Sequence, residues 1–352
     1  MSLNVAILGC GDMGAEHARA WHEHAGADIR VVCDPDRDRC QRLAMLYRAA
    51  GYTEWQDAIS HEGIDVVSVC TPVSQHRALS VAAARAGKHV LCEKPMALTM
   101  ADADAMIAAA RTNGVQLAVC HQYRGFGHFR IIKTLVDDGK FGSPLHMRMT
   151  DWREVRPKLA MHRREMNGGP VHDMSGHLFD LALYLTASQA LSVTAVGAVL
   201  GADKHRLAAL DNPGIDAADI QLRFAGGHVL SISINWGLPE GTPEFNYVTI
   251  SGPGGHAHTV EPLAGEFPED GNPVQKKAVM VGDGNGLRRI TDHDYPRGPA
   301  ICIDGLMQSI GTGEPGMFDG QAGRKALELV LAALESVETG EPVPLGTREC
   351  NR

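Results

Sequence analysis

The sequence contains no C-x-x-C pair; its eight cysteines stand singly at 10, 33, 40, 70, 92, 120, 302 and 350. Cys33, Cys70, Cys92 and Cys120 end apolar strand-like runs, where a thiol behaves as a small buried hydrophobe. A disulfide framework is therefore not expected, and a reducing cytoplasm is the expected compartment. No apolar run approaches the ~20 residues a transmembrane helix needs, so no membrane partner is expected. Strand pattern begins by Asn4, so no signal peptide is expected. Positive charge is scarce too: 33 Lys and Arg against 42 Asp and Glu give a net charge of −9. A phosphate backbone needs a basic footprint, so nucleic acid is not an expected partner. The one basic stretch, Arg148–Arg164, is short and interrupted by acids. What is present is a hydrophobic fraction of 44% and a charged fraction of 21% over 352 residues. That composition suits a globular protein with a substantial core, and the length suits two domains.

Residues 1–122 alternate short apolar runs with helix-like stretches. Strands are expected at Val5–Leu8, Ile29–Cys33, Ile64–Cys70, His89–Cys92 and Val115–Cys120. Helices are expected at Ala15–His24, Arg37–Ala50, Ser74–Ala86 and Thr99–Arg111, the last capped by Thr99. Such alternation specifies a parallel sheet covered on both faces, doubly wound by right-handed crossovers, the Rossmann arrangement.

Between the first strand and its helix stands Gly9-Cys10-Gly11-Asp12-Met13-Gly14. Gly9 permits the tight turn, and Gly11 lets the backbone approach a pyrophosphate. Gly14 lets the helix pack closely on the strand, so that its amino end, at Asp12 and Met13, faces the phosphates. Asp34 follows Gly14 by twenty residues and ends the second strand. It either accepts hydrogen bonds from the adenosine ribose hydroxyls and repels a 2′-phosphate, or is an ordinary turn residue before Pro35. NAD is thus expected over NADP, while Arg37 and Arg39 keep NADP open. Cys70-Thr71-Pro72 and His76 follow the third strand, at the edge where such sheets hold ligands. Contact with the cofactor is expected there; the alternative is that Thr71 only caps the next helix.

Glu93-Lys94-Pro95 ends the fourth strand at the same edge, where Glu93 and Lys94 are expected to touch the cofactor. Taken alone, a lysine between Glu and Pro reads as a solvated loop charge. Farther on, a helix is expected over Val171–Leu185. On it Asp173 and His177 are four residues apart and Asp180 three further, so the three share a face beside Leu178, Leu181 and Leu185. The stripe is either an acid/base arrangement, with Asp180 a candidate substrate contact, or a cap-and-surface pair favoured by the helix dipole. His172 adds another ligating side chain. Neighbouring helix positions diverge by roughly 100°, however, and no strong third ligand is evident, so no metal is expected.

Together, Gly9-x-Gly11-x-x-Gly14-x-x-His17, Cys70-Thr71-Pro72-x-x-x-His76, Gly87-Lys88-His89-Val90-Leu91-Cys92-Glu93-Lys94-Pro95 and Gly168-Gly169-Pro170-x-x-Asp173-x-x-x-His177 closely resemble the Gfo/Idh/MocA family. That family is named for glucose–fructose oxidoreductase, inositol dehydrogenase and a rhizopine-catabolism protein. The resemblance extends to Asp138–Pro144 and to a closing helix around Leu327–Thr339. It implies that Lys94 lies beside the nicotinamide and the reacting carbon, and that Asp173 and His177 are the acid/base partners. It also implies an arginine near substrate at Arg124. The continuation Arg124-Gly125-Phe126-Gly127 departs there from the family's Arg-Phe-x-Pro. The implied activity is NAD(P)-dependent oxidation of a CH–OH group on a sugar, an inositol-like polyol or a sugar acid. Two alternatives stand beside it. One is an enzyme that holds NAD tightly and processes glycosides through transient oxidation; the other is a non-enzymatic nucleotide sensor.

Residues 123–352 change pattern and are expected to form a second, α+β domain. A helix at Phe129–Asp137 precedes strands at Leu145–Asp151, Ser192–Val199, Asp219–Phe224, His228–Trp236 and Phe245–Ser251, with Ala225-Gly226-Gly227 as a hairpin turn. Runs of strands with few helices predict a large, predominantly antiparallel, open-faced sheet. One face packs the helices; in the family the other often serves a homodimer or homotetramer. Trp152–Pro170 reads as irregular, and Gly252–Pro299 yields only a short strand near Ala278–Val281 within surface loops. Trp236 either flanks a sugar ring or is a core tryptophan. The arginines of Trp152–Arg164, Arg156 among them, either grip a substrate carboxylate or are solvated surface charge.

Overall fold

The computed structural model describes residues 2–263, 276–292 and 298–346. They form two compact units: residues 1–122 with 296–327, and residues 123–295 with 328–352.

In the first unit the chain runs β1 (Leu3–Leu8), α1 (Asp12–Glu23), β2 (Ala27–Cys33), α2 (Arg37–Tyr47), β3 (Ala50–Tyr52), α3 (Trp55–Ser60), β4 (Val66–Val69), α4 (Val73–Arg85), β5 (His89–Cys92), α5 (Met100–Thr112) and β6 (Leu117–Val119). The six strands pair only in parallel, in the order β3-β2-β1-β4-β5-β6. Val5, Ala6, Ile7 and Leu8 of the central strand are all buried, as a strand covered on both faces requires. The order reverses between β1 and β4, so the carboxyl ends of these two strands form the switch point at which open α/β sheets hold ligands. The glycine turn follows β1 and Cys70-Thr71 follows β4.

The second unit contains α6 (Gly127–Asp137), β7 (His146–Glu154), α7 (Leu159–His162), α8 (Arg164–Asn167), α9 (Pro170–Thr186), β8 (Ala190–Ala198), β9 (Ala217–Phe224), β10 (Val229–Leu238), β11 (Phe245–Gly252), β12 (Gly255–Val260), β13 (Ala278–Asp283) and β14 (Gly286–Ile290). The chain then forms α10 (Ala300–Thr312), which belongs to the first unit, α11 (Gly320–Thr339), which passes from the first unit to the second, and β15 (Val343–Pro344) of the second. The nine-stranded sheet runs β14-β13-β12-β11-β7-β10-β9-β8-β15, antiparallel throughout except for the central β7–β10 pair. Strict alternation decides its faces. Ile220, Leu222, Leu230, Ile232, Met147 and Met149 turn inward and join Leu178, Phe179 and Leu181 of α9 in one core. Each such side chain removed from water contributes about 1.5–3 kcal/mol. On the outer face Trp152, Phe245 and Val196 remain exposed.

Several features differ from the sequence expectations: β12 and β14 lie in the stretch expected to hold only a short strand near Ala278–Val281. Residues 296–327, read as part of a domain spanning 123–352, cluster with the first unit. Cys302, Ile303 and Leu306 of α10, with Phe318, fill the core around Trp21 and Cys120. Trp152–Pro170 holds two one-turn helices as well as the end of β7, where an irregular segment was expected. Cys350 and parts of the stretch read as surface loops (264–275 and 293–297) lie outside the described residues. No helix of the described residues is long and apolar enough to cross a membrane.

Candidate active site

The first unit supplies a nucleotide cradle built from backbone. Gly9 has φ +94°, and a Cβ there would stand 2.7 Å from the Cys70 carbonyl oxygen. A Cβ on Gly14 would lie only 1.8 Å from the Gly9 carbonyl oxygen. Gly11 differs: a Cβ there would meet nothing within 4 Å, because the turn opens outward at that point. Two glycines close the turn and the third leaves the space a pyrophosphate needs, at the amino end of α1. Gly11 is also that helix's N-cap and offers no side-chain cap, with exposed Asp12 and half-buried Met13 in the first turn. These residues fit a dinucleotide.

Asp34 holds the turn as well as ending β2. Its Oδ2 accepts the Cys10 N–H at 2.7 Å and its Oδ1 the Asp36 N–H at 2.9 Å. Each oxygen keeps lone-pair capacity, so the carboxylate is oriented yet able to accept ribose hydroxyls. Arg37 and Arg39 are exposed on α2, and Arg39 pairs with Asp36 at 3.2 Å. Cys70, Thr71 and Pro72 are half-buried at the head of α4. Thr71 does not cap that helix: Pro72 is the N-cap, no side chain bonds the first turn, and the Thr71 Oγ1 atom is buried without a hydrogen-bond partner.

Two residues expected to touch cofactor are turned elsewhere. His76 is fully buried, with Nδ1 2.9 Å from the Pro95 carbonyl and Nε2 2.9 Å from the Thr71 carbonyl, so both ring nitrogens are engaged by backbone. Glu93 points inward: its Oε1 lies 2.8 Å from His17 Nε2, and its Oε2 accepts the Lys94 N–H at 3.1 Å. Ser68 Oγ meets His17 Nδ1 at 2.8 Å and the Trp21 indole N–H at 3.3 Å. Burial opposes a charge on His17, but Cys70, Cys120 and Glu93 raise its pKa well above the usual imidazole value. Burial likewise opposes ionisation of Glu93, and His17 with Lys94 overcomes it, lowering that pKa. Both shifts favour the ionic form of the pair, imidazolium with carboxylate. Ligating atoms of His17, Glu93 and Cys120 lie within 4.8 Å of one another. The 2.8 Å N···O contact is nevertheless a hydrogen bond, shorter than the about 3.3 Å between two ligands on one tetrahedral ion. Lys94 itself is half-buried where β5 ends.

In the second unit α9 starts from Gly168 (φ +79°) and Gly169 (φ +96°), with Pro170 at its first position. A Cβ on Gly169 would fall 2.6 Å from Gly214 Cα, so the entry is closed to other residues. Asp173, His177 and Asp180 lie along one face and all are buried, which removes the surface-pair reading. The His177 ring stacks on Tyr123, centroids 4.2 Å apart and planes 2° from parallel. Arg124 grips Asp180 with two nitrogens, Nε at 2.9 Å from Oδ2. Tyr123 was missed from sequence; its position beside Arg124 was the available signal. Burial, together with Asp151, raises its hydroxyl pKa. Among the described residues, His172, Asp173 and His177 form no ligating group.

Asp151 was also missed. It is buried on β7 and accepts from Arg153 Nε (2.6 Å) and Nη2 (2.8 Å), from the Trp236 indole N–H (2.6 Å) and from Asn246 (2.7 Å). Trp236 is therefore no open platform for a sugar: it is 2% exposed, its N–H is used, and the Arg153 guanidinium sits 5.2 Å from its ring centre. Arg156 bonds Glu244 at 2.8 Å, and Arg153 reaches the same carboxylate at 3.3 Å. Arg163 pairs with Glu165 and Arg164 with Glu338.

Residues 3–121 match the family model described as "Oxidoreductase family, NAD-binding Rossmann fold", and residues 129–258 the model described as "GFO/IDH/MocA C-terminal domain". The chain is 28% identical to myo-inositol 2-dehydrogenase of Thermotoga maritima, over 97% of this chain and 98% of that one. It is 29% identical to inositol 2-dehydrogenase of Rhizobium meliloti, over 96% and 97%. Among solved structures it is similar to an aldose-aldose oxidoreductase from Caulobacter crescentus complexed with glycerol. There the TM-score is 0.83 and the identity 26%, over 98% of this chain and all (100%) of the other.

Proposed function

Because the chain belongs to the GFO/IDH/MocA family of NAD-binding oxidoreductases, we propose that it oxidises, reversibly, a carbinol carbon of a neutral sugar or inositol-like polyol. The observation that carries the reaction is the buried Asp173–His177 pair on one face of α9, with the imidazole held flat against Tyr123. Bound nicotinamide supplies the acceptor for the hydride. The residues of the chain do the rest. His177 takes the hydroxyl proton, a task suited to a group whose unperturbed pKa lies near 6.5. Asp173, one turn away, offsets the charge His177 gains. Lys94 donates to the reacting oxygen and stabilises the negative charge developing there. Gly9, Gly11 and Gly14 hold the pyrophosphate, and Asp34 takes the ribose hydroxyls, which favours NAD.

The charge ledger of the second unit supports a neutral substrate. Arg153 and Arg156 are matched by Asp151 and Glu244, and Arg124 by Asp180. The three guanidinium charges of this group are balanced by three carboxylates, which leaves no surplus positive charge there to attract a substrate carboxylate. The relatives named for inositol act on an uncharged polyol, in keeping with this. The row Trp152, Phe245 and Tyr247, with ring centres 5.3 and 4.5 Å apart on the outer sheet face, supports assembly into a homodimer or homotetramer through that sheet. Seven described cysteines, all free thiols, suit a reducing cytoplasm.

The test is absorbance at the NADH band as the protein meets NAD or NADP with inositols, aldoses and sugar acids. Growth of the band with NAD and neutral polyols is expected. A band that grows only with sugar acids would contradict the substrate class. A flat trace with NAD bound would move the reading to a tightly held cofactor and no net redox change.

A further inference from the structure

His17 and His76 come from the two helices that open at the switch point, α1 behind the glycine turn and α4 behind Cys70-Thr71-Pro72. They converge on one short turn. His17 holds the carboxylate of Glu93, whose second oxygen receives the Lys94 N–H. His76 reaches the carbonyl of Pro95, the residue after Lys94. Lys94 is thus fastened on both sides, by side chains that are themselves buried and satisfied. The chemistry proposed above uses neither histidine, and neither ring is exposed enough to meet a ligand.

We infer that His17 and His76 are positioning residues that register Lys94 against the nucleotide cradle, an inference that rests on the role proposed above for Lys94. Each histidine ties the Lys94 turn to a helix whose amino end forms the cradle. A shift of one helix then moves Lys94 with it, and the distance from cradle to ammonium group is preserved. The ionic state of the His17–Glu93 pair supports this. A charge-assisted hydrogen bond in a dry interior is stiff, and loss of one partner leaves the other charge buried alone. Such placement matters because a misplacement of about 1 Å at a reacting centre costs about a hundredfold in rate.

The experiment compares His17→Gln, His76→Asn and Lys94→Ala, alone and combined. It measures kcat and KM for the polyol, NAD affinity by fluorescence, and hydrogen exchange of the Lys94 amide in nucleotide-free protein. Either histidine variant is expected to lower kcat about tenfold to a hundredfold, while the NAD dissociation constant stays within about threefold. Exchange at the Lys94 amide should quicken in His17→Gln. In the Lys94→Ala background neither change should lower the residual kcat further, because both act through Lys94. Glu93→Gln, which keeps the size of the side chain, carries the test if His17→Gln fails to fold. Equal losses of kcat with and without Lys94, NAD affinity falling in step with kcat, or unchanged exchange at the Lys94 amide would each overturn the inference. If Lys94→Ala itself turns over normally, the role of Lys94 fails. If Lys94→Ala is inactive while both histidine variants are as active as wild type, only the positioning inference fails.

Discussion

A methyl group on Gly14 would collide with the Gly9 carbonyl at 1.8 Å, and both partners are backbone, so neither can swing aside. Gly14→Ala is therefore expected to open the turn and weaken NAD binding by at least about tenfold, measured by fluorescence titration; unchanged affinity would contradict the cradle. Lys94→Ala is expected to bind NAD normally and lose about a hundredfold to a thousandfold in kcat, the usual cost of one oxyanion donor. Steady-state kinetics with a neutral polyol checks it, and normal turnover would remove Lys94 from the chemistry. At this scale the sequence was legible where spacing alone fixes geometry. The glycine turn needed only its own residues, and Asp173, His177 and Asp180 needed only the period of a helix. Partnerships across long separations were not legible. His17 and Glu93 are 76 positions apart. The partners that engage Trp236, Arg156 and Glu93 stand 85, 88 and 76 positions away, so nothing local reveals that these side chains are already occupied.

Helix α5 shows how an element is fixed by its ends. Thr99 Oγ1 accepts the Asp102 N–H at 3.1 Å and donates to the Asp102 carboxylate at 2.8 Å, closing the first turn from both sides. Thr99→Ala is expected to destabilise the protein by about 1 kcal/mol, read from urea denaturation, without altering kcat. A shift in kcat of the same size would mean that α5 is coupled to the chemistry. The cap was readable because Thr stands directly before an alanine-rich helical run. The long apolar strands were equally plain. β3 has only three residues, and β12 presents Gly-His-Ala-His-Thr-Val, in which Ala257 and Thr259 face the core and both histidines face away from it. Small or polar residues on the buried face erase the alternation that announces a strand, and β14 is mostly exposed, so these strands escaped. α10 escaped too, because a stretch rich in Gly, Pro and charge precedes it and its partner surface belongs to the first unit.

Over the molecule as a whole, two buried charges tie stability to pH. His17 has its pKa raised on folding, so its contribution is complete below the unfolded value near 6.5 and declines as pH rises through the folded value. Glu93 has its pKa lowered, so its contribution is complete above the unfolded value near 4.5 and is lost as pH falls through the folded one. The two windows overlap between pH 4.5 and 6.5. The melting-temperature gap between wild type and His17→Gln should be widest there and shrink toward alkaline pH in thermal scans. A gap that grows with rising pH would contradict the ionic pair. The central claim is hydride transfer between a neutral polyol and nicotinamide, and label transfer tests it most directly. The protein is given NAD and an inositol deuterated at its ring carbons, and the recovered nucleotide is analysed by mass spectrometry. One deuterium per reduced nucleotide, with label accumulating about a hundredfold to a thousandfold more slowly when Lys94→Ala replaces wild type, is the expected result. Reduced nucleotide without deuterium, or none formed from any neutral sugar or polyol, would contradict the account.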